Sequence, residues 1–289
     1  MLMQNIPGFT ITGKIAEGGC AQVFAGVEQA SGRRVAIKLL HPRNLSNKIE
    51  FKRLLDEGKL TLKLQHPNLV RGYSTGQAGN LPYIALEYIH GRMLRDLVAD
   101  KYVLSNGETL RLARALCLAV RYLHDLGYVH KDIKPDNIML GEAGEIKLLD
   151  FGFAEPLKPS FSLFGGPKRL DGSPAYMAPE LLTTKKASCA TDVYALGCTL
   201  YEAASGHSPF EGMSDQETMA RQTNIKLSAA PILGKNPRIT TLTEKMIMRA
   251  LQKDPALRYK TTDEMMLDIA RNPSTTDPKS SARMSPALA

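Results

Sequence analysis

Tryptophan is absent from this 289-residue chain, aromatic residues make up only 6% of it, and cysteine occurs four times. Cys20, Cys117, Cys189 and Cys198 form no CxxC pair and have no metal-ligand spacing with histidine. That argues against a disulfide framework or a zinc site, and reduced thiols in a cytoplasmic protein are expected. No apolar run approaches the length of a membrane span. Met1-Leu2-Met3-Gln4-Asn5 has neither the charged start nor the apolar core of a signal peptide. Blocks of like charge and an aromatic RNA-recognition signature are also missing. No nucleic-acid partner is therefore expected, although the net charge is +8. That excess is uneven. Residues 1–86 hold 11 Lys/Arg against 5 Asp/Glu, while the remainder is close to balanced at 26 against 24. A solvated basic surface accounts for this, and attraction of a polyanionic nucleotide fits it as well. What is present, 43% apolar and 23% charged residues, is the composition of an ordinary globular protein.

Periodicity divides the chain. Gln22–Val27 and Arg34–Leu39 alternate apolar with small or polar residues around a Ser31-Gly32 turn, and Leu81–Ile89 reads as a further strand. Between them Phe51, Leu54, Leu55, Gly58 and Leu62 fall at helical spacing, so one helix is expected from Ile49 to Leu64, ended near His66-Pro67. Beyond Arg92 the spacing is helical. Leu112, Leu116, Ala119, Val120 and Leu123 form one stripe, closed by Gly127. Val193, Leu196, Gly197, Leu200 and Tyr201 form a second, and Leu242 to Leu251 a third. A small β-rich lobe followed by a larger helical lobe follows, an α+β chain. Residues 272–289, rich in Pro, Ser and Thr with little to bury, read as a disordered tail.

The segment His130-Lys131-Asp132-Ile133-Lys134-Pro135-Asp136-Asn137 places an acid and an amide five residues apart, and Asp150-Phe151-Gly152 adds a carboxylate 18 residues after that acid. Phosphoryl transfer needs such a set: a carboxylate for the substrate hydroxyl, and an amide with a second carboxylate for magnesium. Each residue alone reads as a cap or turn, but this order and spacing together do not. The pattern resembles the catalytic loop and DFG segment of eukaryotic-like (Hanks-type) serine/threonine protein kinases, and most of all the bacterial branch.

The resemblance implies a bilobal kinase fold over about residues 9–271, with lobes of about 9–88 and 91–271, and use of ATP and Mg2+. It implies that Asp132 accepts or orients the substrate proton, that Lys134 balances γ-phosphate charge, and that Asn137 and Asp150 hold the metal. Val35-Ala36-Ile37-Lys38 matches the VAIK strand, so Lys38 would hold the phosphates and Glu57, 19 residues on, would orient it. Ile15, Ala16, Gly18 and Gly19 occupy the place of the glycine-rich loop. Val23, Ala36, Met139 and the gatekeeper Leu86 would enclose the adenine, with Glu87 and Ile89 offering backbone groups to its edge. Gly172-Ser173-Pro174-Ala175-Tyr176-Met177-Ala178-Pro179-Glu180 is close to the peptide-docking segment. Ser173 and Lys134 mark the Ser/Thr branch, Arg258 would pair with Glu180, and Asp192 would lie under the catalytic loop. The implied partner is a protein substrate. Asp136 and Glu202 match acids that receive a substrate arginine, although Met93 breaks a third such position.

The chain also departs from the family. Ala16 and Ala21 replace two loop glycines, which restricts φ there and is expected to stiffen the loop. Cys20 stands at the loop tip, as a small hydrophobe or a reactive thiol. Lys131 replaces the HRD arginine and Glu155 lies where many loop-regulated relatives carry a base, so a phosphate-reading pocket would rest on Lys131 with Arg53, Lys158 or Lys168. Ser160 and Ser162 are the loop hydroxyls. Two other readings stay open: a pseudokinase acting as a nucleotide-binding scaffold, and a small-molecule kinase of related fold.

Overall fold

The computed structural model describes residues 6–157 and 172–272. The 272–289 tail, apart from Asn272, lies outside the described residues, as do Lys158, Ser160, Ser162 and Lys168. The chain forms two compact units, one running to His90 and including Asp150–Gly152, the other made of Gly91–Leu149 and the chain from Phe153.

The first unit is an antiparallel sheet with one helix. Strands β1 (Phe9–Glu17), β2 (Ala21–Glu28), β3 (Arg34–Leu40), β4 (Gly72–Ala78) and β5 (Leu81–Glu87) lie in the order β1-β2-β3-β5-β4. The period of two along β3 sorts its side chains onto two faces. Val35, Ile37 and Leu39 are fully buried against Ile6, Phe9, Tyr83 and Ala85. Such aliphatic side chains contribute about 1.5–3 kcal/mol each by leaving water. On the opposite face Leu40 packs with Ile84 and with Leu54 of helix α1 (Lys48–Thr61). Lys38 shares that face, which is what lets a helix residue reach it. Close packing of α1 depends on Gly58, where a Cβ would stand 2.7 Å from Cγ2 of Thr75 and 3.3 Å from Cγ1 of Ile84.

Helix α1 is capped by Asn47, whose Oδ1 accepts from the N–H groups of Ile49 and Glu50. It ends a turn earlier than the apolar spacing suggests. Lys63 and Leu64 donate three residues back, to Leu60 and Thr61, and this tighter winding stops the helix before Pro67. Strand β5 also stops short of Ile89, at Glu87, because its partner β3 begins at Arg34 and pairs Val35 with Glu87. Strands β1 and β4 were not expected from sequence. Gly72-Tyr73-Ser74-Thr75-Gly76-Gln77-Ala78 carries little apolar alternation, and is a strand because β5 pairs with it.

The second unit is mainly helical. It opens with β6 (Gly91–Met93), α2 (Leu94–Ala99) and α3 (Asn106–Asp125). Small strands follow: β7 (Tyr128–Val129), β8 (Ile138–Gly141), β9 (Ile146–Leu148) and β10 (Glu155–Pro156). Strand β10 pairs with β7, and β8 lies between β6 and β9. Then come α4 (Pro179–Thr184), α5 (Cys189–Ser205), α6 (Asp215–Thr223), α7 (Thr241–Ala250) and α8 (Thr262–Ala270). A capping box of Ser105 and Glu108 starts α3. Its apolar stripe is buried, and Gly127 turns the chain away at a φ of 80°. Helix α5 is buried along Thr191–Ser205 and forms the middle of the unit. None of the helices among the described residues is long and apolar enough to cross a membrane.

One buried cation ties three parts of this unit together. Arg258 is 1% exposed. Its Nη1 and Nη2 meet the two carboxylate oxygens of Glu180 at 2.8 and 2.9 Å, while its remaining N–H groups reach the carbonyls of Ala190, Gln252 and Lys253. The planar fork suits this pairing, which a lysine cannot reproduce. Removing one partner of such a pair leaves a stranded charge. We expect Arg258→Met to lower unfolding free energy by about 3–5 kcal/mol in urea titration, and Arg258→Lys to recover only part of it. A loss for Arg258→Met below about 1 kcal/mol, the range of a surface pair, would contradict this account.

Candidate active site

In the first unit the strand-borne lysine and the helix-borne acid meet. Lys38 Nζ lies 2.7 and 2.8 Å from the two carboxylate oxygens of Glu57, and 3.0 Å from Oδ2 of Asp150. Glu57 is 5% exposed. Burial pushes its carboxyl up to about 7, against the attraction of Lys38. Burial opposes the charge on Lys38 as well, but Asp150 and then Glu57 outweigh it, so the ammonium is held above its ordinary range. The lysine thus stays cationic between two acids. Asp150 itself has a φ of 60°, in the left-handed region that side chains rarely adopt. Its Oδ1 accepts from the N–H of Gly152 at 3.1 Å.

The loop before Lys38 is shorter than the family pattern suggests. Ala16 pairs with Val23 inside β1 and β2, and Ala21 pairs with Leu40, so both alanines belong to strands. Only Gly18-Gly19-Cys20 turns, closed by Gly18 N–H to the Ala21 carbonyl at 2.9 Å. Neither Gly18 nor Gly19 has a positive φ. The expected stiffening by alanine is corrected accordingly, since strand residues lose nothing by being alanine. The loop is also strapped from outside, with Asn44 Nδ2 donating to the Gly19 carbonyl at 2.8 Å. The Cys20 thiol donates to Glu50 at 2.8 Å. The residue is exposed, yet partial burial and this acid push the thiol up to about 11, away from a reactive thiolate. Ile15 is exposed on β1, whereas Val23, Ala36 and Leu86 are half-buried on adjacent strands, Ala36 paired with Leu86. The N–H of Glu87 is engaged by the Arg71 carbonyl at 2.8 Å and cannot serve a ligand. Ile89 lies just beyond the strand.

The second unit gathers Asp132, Lys134, Asn137 and Ser173. Asp132 is 4% exposed. Asn137 Nδ2 donates to its Oδ2 and to its main-chain carbonyl, both at 2.8 Å. Lys134 Nζ lies 2.8 Å from Asp132 Oδ2 and 2.8 Å from Ser173 Oγ. An acid, a cation and a hydroxyl from the downstream segment therefore form one connected group. Met139 lies half-buried on β8. Asn137 and Asp150, expected to share a metal, belong to different units.

Asp192 positions this group. It is fully buried at the start of α5, and its two oxygens accept from the N–H groups of His130 and Lys131 at 2.9 Å each. Those bonds hold Lys131 at a φ of 69° immediately before Asp132. His124, which the sequence reading missed, donates from α3 to the same carboxylate at 2.8 Å. Lys131 Nζ pairs with Glu155 at 3.0 Å, and Arg53 pairs with Glu50 at 2.9 Å. Of the cations considered for a phosphate pocket, the two among the described residues thus already hold carboxylates. Arg95 was also missed; it bonds Asp136 at 3.0 Å and Glu202 at 2.6 Å.

The His124–Asp192 bond has a pH signature. Burial lowers the affinity of His124 for a proton, but Asp192, with Cys189 beside it, more than reverses this and raises the imidazole to about 9. A histidine raised from its usual range stabilises the fold fully below about pH 6.5, and that contribution fades as pH climbs through about 9. We expect His124 to contribute about 2–3 kcal/mol of unfolding free energy that is lost between about pH 6 and pH 9.5. In urea titrations at both pH values, His124→Gln should lose less stability than the parent by that amount. Equal slopes in parent and variant would show that this imidazole is not charged in the fold.

Comparison with known proteins agrees with this geometry. A family model described as "Protein kinase domain" matches residues 9–268. A protein of Corynebacterium efficiens named "Probable serine/threonine-protein kinase" is 33% identical over 90% of this chain and 40% of its own length. Serine/threonine-protein kinase PknB of Mycobacterium tuberculosis is 30% identical over 88% of this chain and 41% of its own length. PknB of Corynebacterium glutamicum is 33% identical over 89% and 41%. The chain spans about two fifths of the length of these relatives. With the family model covering nearly all of it, the chain belongs to the protein kinase domain family.

Proposed function

We propose that this chain transfers the γ-phosphoryl group of ATP to serine or threonine in protein substrates. The observation that carries the proposal is the connected group of Asp132, Lys134, Asn137 and Ser173. In this reading Asp132 aligns the acceptor hydroxyl and takes its proton, and its orientation is fixed by Asn137. Lys134, held between Asp132 and Ser173, offers positive charge to the transferring phosphoryl group. Lys38, kept cationic and aimed by Glu57, binds the α- and β-phosphates. Val23, Ala36 and Leu86, half-buried on adjacent strands, offer apolar surface to the adenine. Asn137 and Asp150 would hold magnesium, which would supply neutralisation of phosphate charge. The donors fit such a hard cation: Asn137 spends its Nδ2 on Asp132 and keeps the amide Oδ1, and Asp150 supplies a carboxylate. The relatives, named as serine/threonine-protein kinases or probable ones, support the same class. A scaffold without catalysis finds no support, because Lys38, Glu57, Asp132, Asn137 and Asp150 are all present and Lys38 is paired. Glu180 and Arg258, which brace the segment after Ser173, favour a peptide over a small-molecule acceptor.

The test is phosphate transfer from labelled ATP to a mixed Ser/Thr peptide library with magnesium. Asp132→Asn should lower kcat by roughly 10²–10⁴-fold while ATP affinity stays near that of the parent. Lys38→Met should cripple turnover, and Asp150→Asn should lose magnesium-dependent nucleotide binding. Transfer at the parental rate by Asp132→Asn would sink the assignment of the acid.

Loop phosphorylation should matter little to this activity. A phosphate switches an enzyme only by binding better in the active state than in the inactive one. Lys131 is already neutralised by Glu155 at 3.0 Å, so the differential attraction is small. Ser160→Ala/Ser162→Ala, and the dephosphorylated parent, should keep kcat/KM within about threefold. A drop of about tenfold, equivalent to roughly 1.4 kcal/mol of transition-state stabilisation, would show that the loop phosphate finds another cation.

A further inference from the structure

A guanidinium occupies the acidic ground beside Asp132. Arg95 lies in the first turn of α2, a helix anchored by the buried Leu94 and Leu97. Its Nε and Nη2 donate to Asp136 Oδ2 at 3.1 and 3.0 Å, and its Nη1 donates to Glu202 Oε1 at 2.6 Å. Nη2 also meets the hydroxyl of Tyr176, which in turn donates to Glu202 Oε2. Four elements converge here: α2, the loop of Asp132, the segment of Ser173, and the buried helix α5.

Position gives this cluster its consequence. Asp136 lies four residues after Asp132 in the same loop. Tyr176 follows Ser173 by three residues and donates its N–H to the Ser173 carbonyl at 3.0 Å. Ser173 is itself bonded to Lys134, the partner of Asp132. A peptide whose hydroxyl reaches Asp132 must therefore carry its neighbouring residues across the same loop and segment. Asp136 and Glu202 without Arg95 would present two carboxylates to those residues, a ready fork-binding site for a substrate arginine. With Arg95 in place most of the oxygens are used and the charge is reduced from two negatives to one. Glu202 is 5% exposed, so its bond to Arg95 is largely shielded from water. A substrate arginine would have to displace a resident one that loses no translational freedom by binding.

We propose that Arg95 is a specificity-determining residue: it fills from within the chain the acidic site beside the acceptor, and so prevents selection of arginine in the substrate there. This rests on the protein kinase reading above. It replaces the preference for basic residues that Asp136 and Glu202 suggest as a sequence.

The experiment compares a serine peptide bearing Arg, Ala or Glu at each position N-terminal to the acceptor, assayed with the parent, Arg95→Ala and Arg95→Gln. The parent should give kcat/KM values within about threefold for the three residues. Each variant should favour arginine at one position by about tenfold or more, the usual worth of a charge-assisted bond pair, mostly through KM. Adding Glu202→Gln to Arg95→Ala should remove that gain. A merely structural arginine would slow all peptides alike, and variants that melt like the parent yet keep its flat profile would overturn the proposal. So would a tenfold arginine preference in the parent itself, which needs no variant and decides the matter if both substitutions unfold. Absence of transfer to every peptide and to a mixed library would instead overturn the kinase reading, and this proposal with it.

Discussion

The second unit depends on one buried carboxylate. Asp192 accepts two consecutive main-chain N–H groups, those of His130 and Lys131, and a third bond from His124. Burial alone would raise this carboxyl, but the imidazole of His124 holds it below its ordinary range. The carboxylate therefore stays ionised inside the protein and can bind amides strongly. Two fixed amides leave the backbone little choice of direction, and Lys131 takes a left-handed conformation that costs of the order of 1–3 kcal/mol for a side chain of this kind. That cost is offset by the bonds, and the result is that Asp132 leaves the strand region already pointed at Asn137 and Lys134. Spacing along the sequence supplies the residues; Asp192, from another element, supplies the direction.

A similar division of labour holds in the first unit. Lys38 alone would be an amphipathic strand residue. Its fate is set by the helix on its face of the sheet, which brings Glu57 within hydrogen-bond reach only because Gly58 lets α1 settle onto Thr75 and Ile84. The α1–sheet contact is therefore a functional distance as well as a packing one. A methyl group at Gly58 would have to displace Thr75, and the displacement would be felt at the ion pair.

How much of this was legible depends on range along the chain. Asp132, Lys134 and Asn137 act within a few residues of one another, so their order and spacing carry the signal. Lys38 and Glu57 were readable because strand and helix periodicity placed both on elements. Strand β4 was not readable, since its residues are polar and small and its partner β5 makes it a strand. The ends of α1 and β5 were set by hydrogen bonds of the tighter winding and by where β3 starts, neither of which has a compositional mark. Arg95 and His124 were missed for a different reason. Each looks like an ordinary solvated helix residue, and only folding reveals that the acids they meet, 41 and 107 residues away for Arg95 and 68 for His124, are there. The one available signal was indirect: Asp136 and Glu202 read as two acids awaiting a cation, and a cation was present in the chain.

That last observation extends beyond Arg95. At several places where charge could have met an outside group, the chain supplies its own partner. Lys131 holds Glu155, Arg53 holds Glu50, Cys20 donates to Glu50, and Arg95 holds Asp136 and Glu202. An internal partner competes at a high effective concentration, and where the pair is half-buried its separation strands both charges. Lys131–Glu155, with side chains 17% and 23% exposed, is of that kind. An outside phosphate or arginine could bind there only by contributing more than the pair it breaks. Lys38 is the instructive exception, since it is held by Glu57 and Asp150 together and a nucleotide phosphate need not break the Glu57 bond to reach a lysine already kept cationic. Lys38 therefore differs from Lys131, paired with Glu155, in having two acidic partners, Glu57 and Asp150.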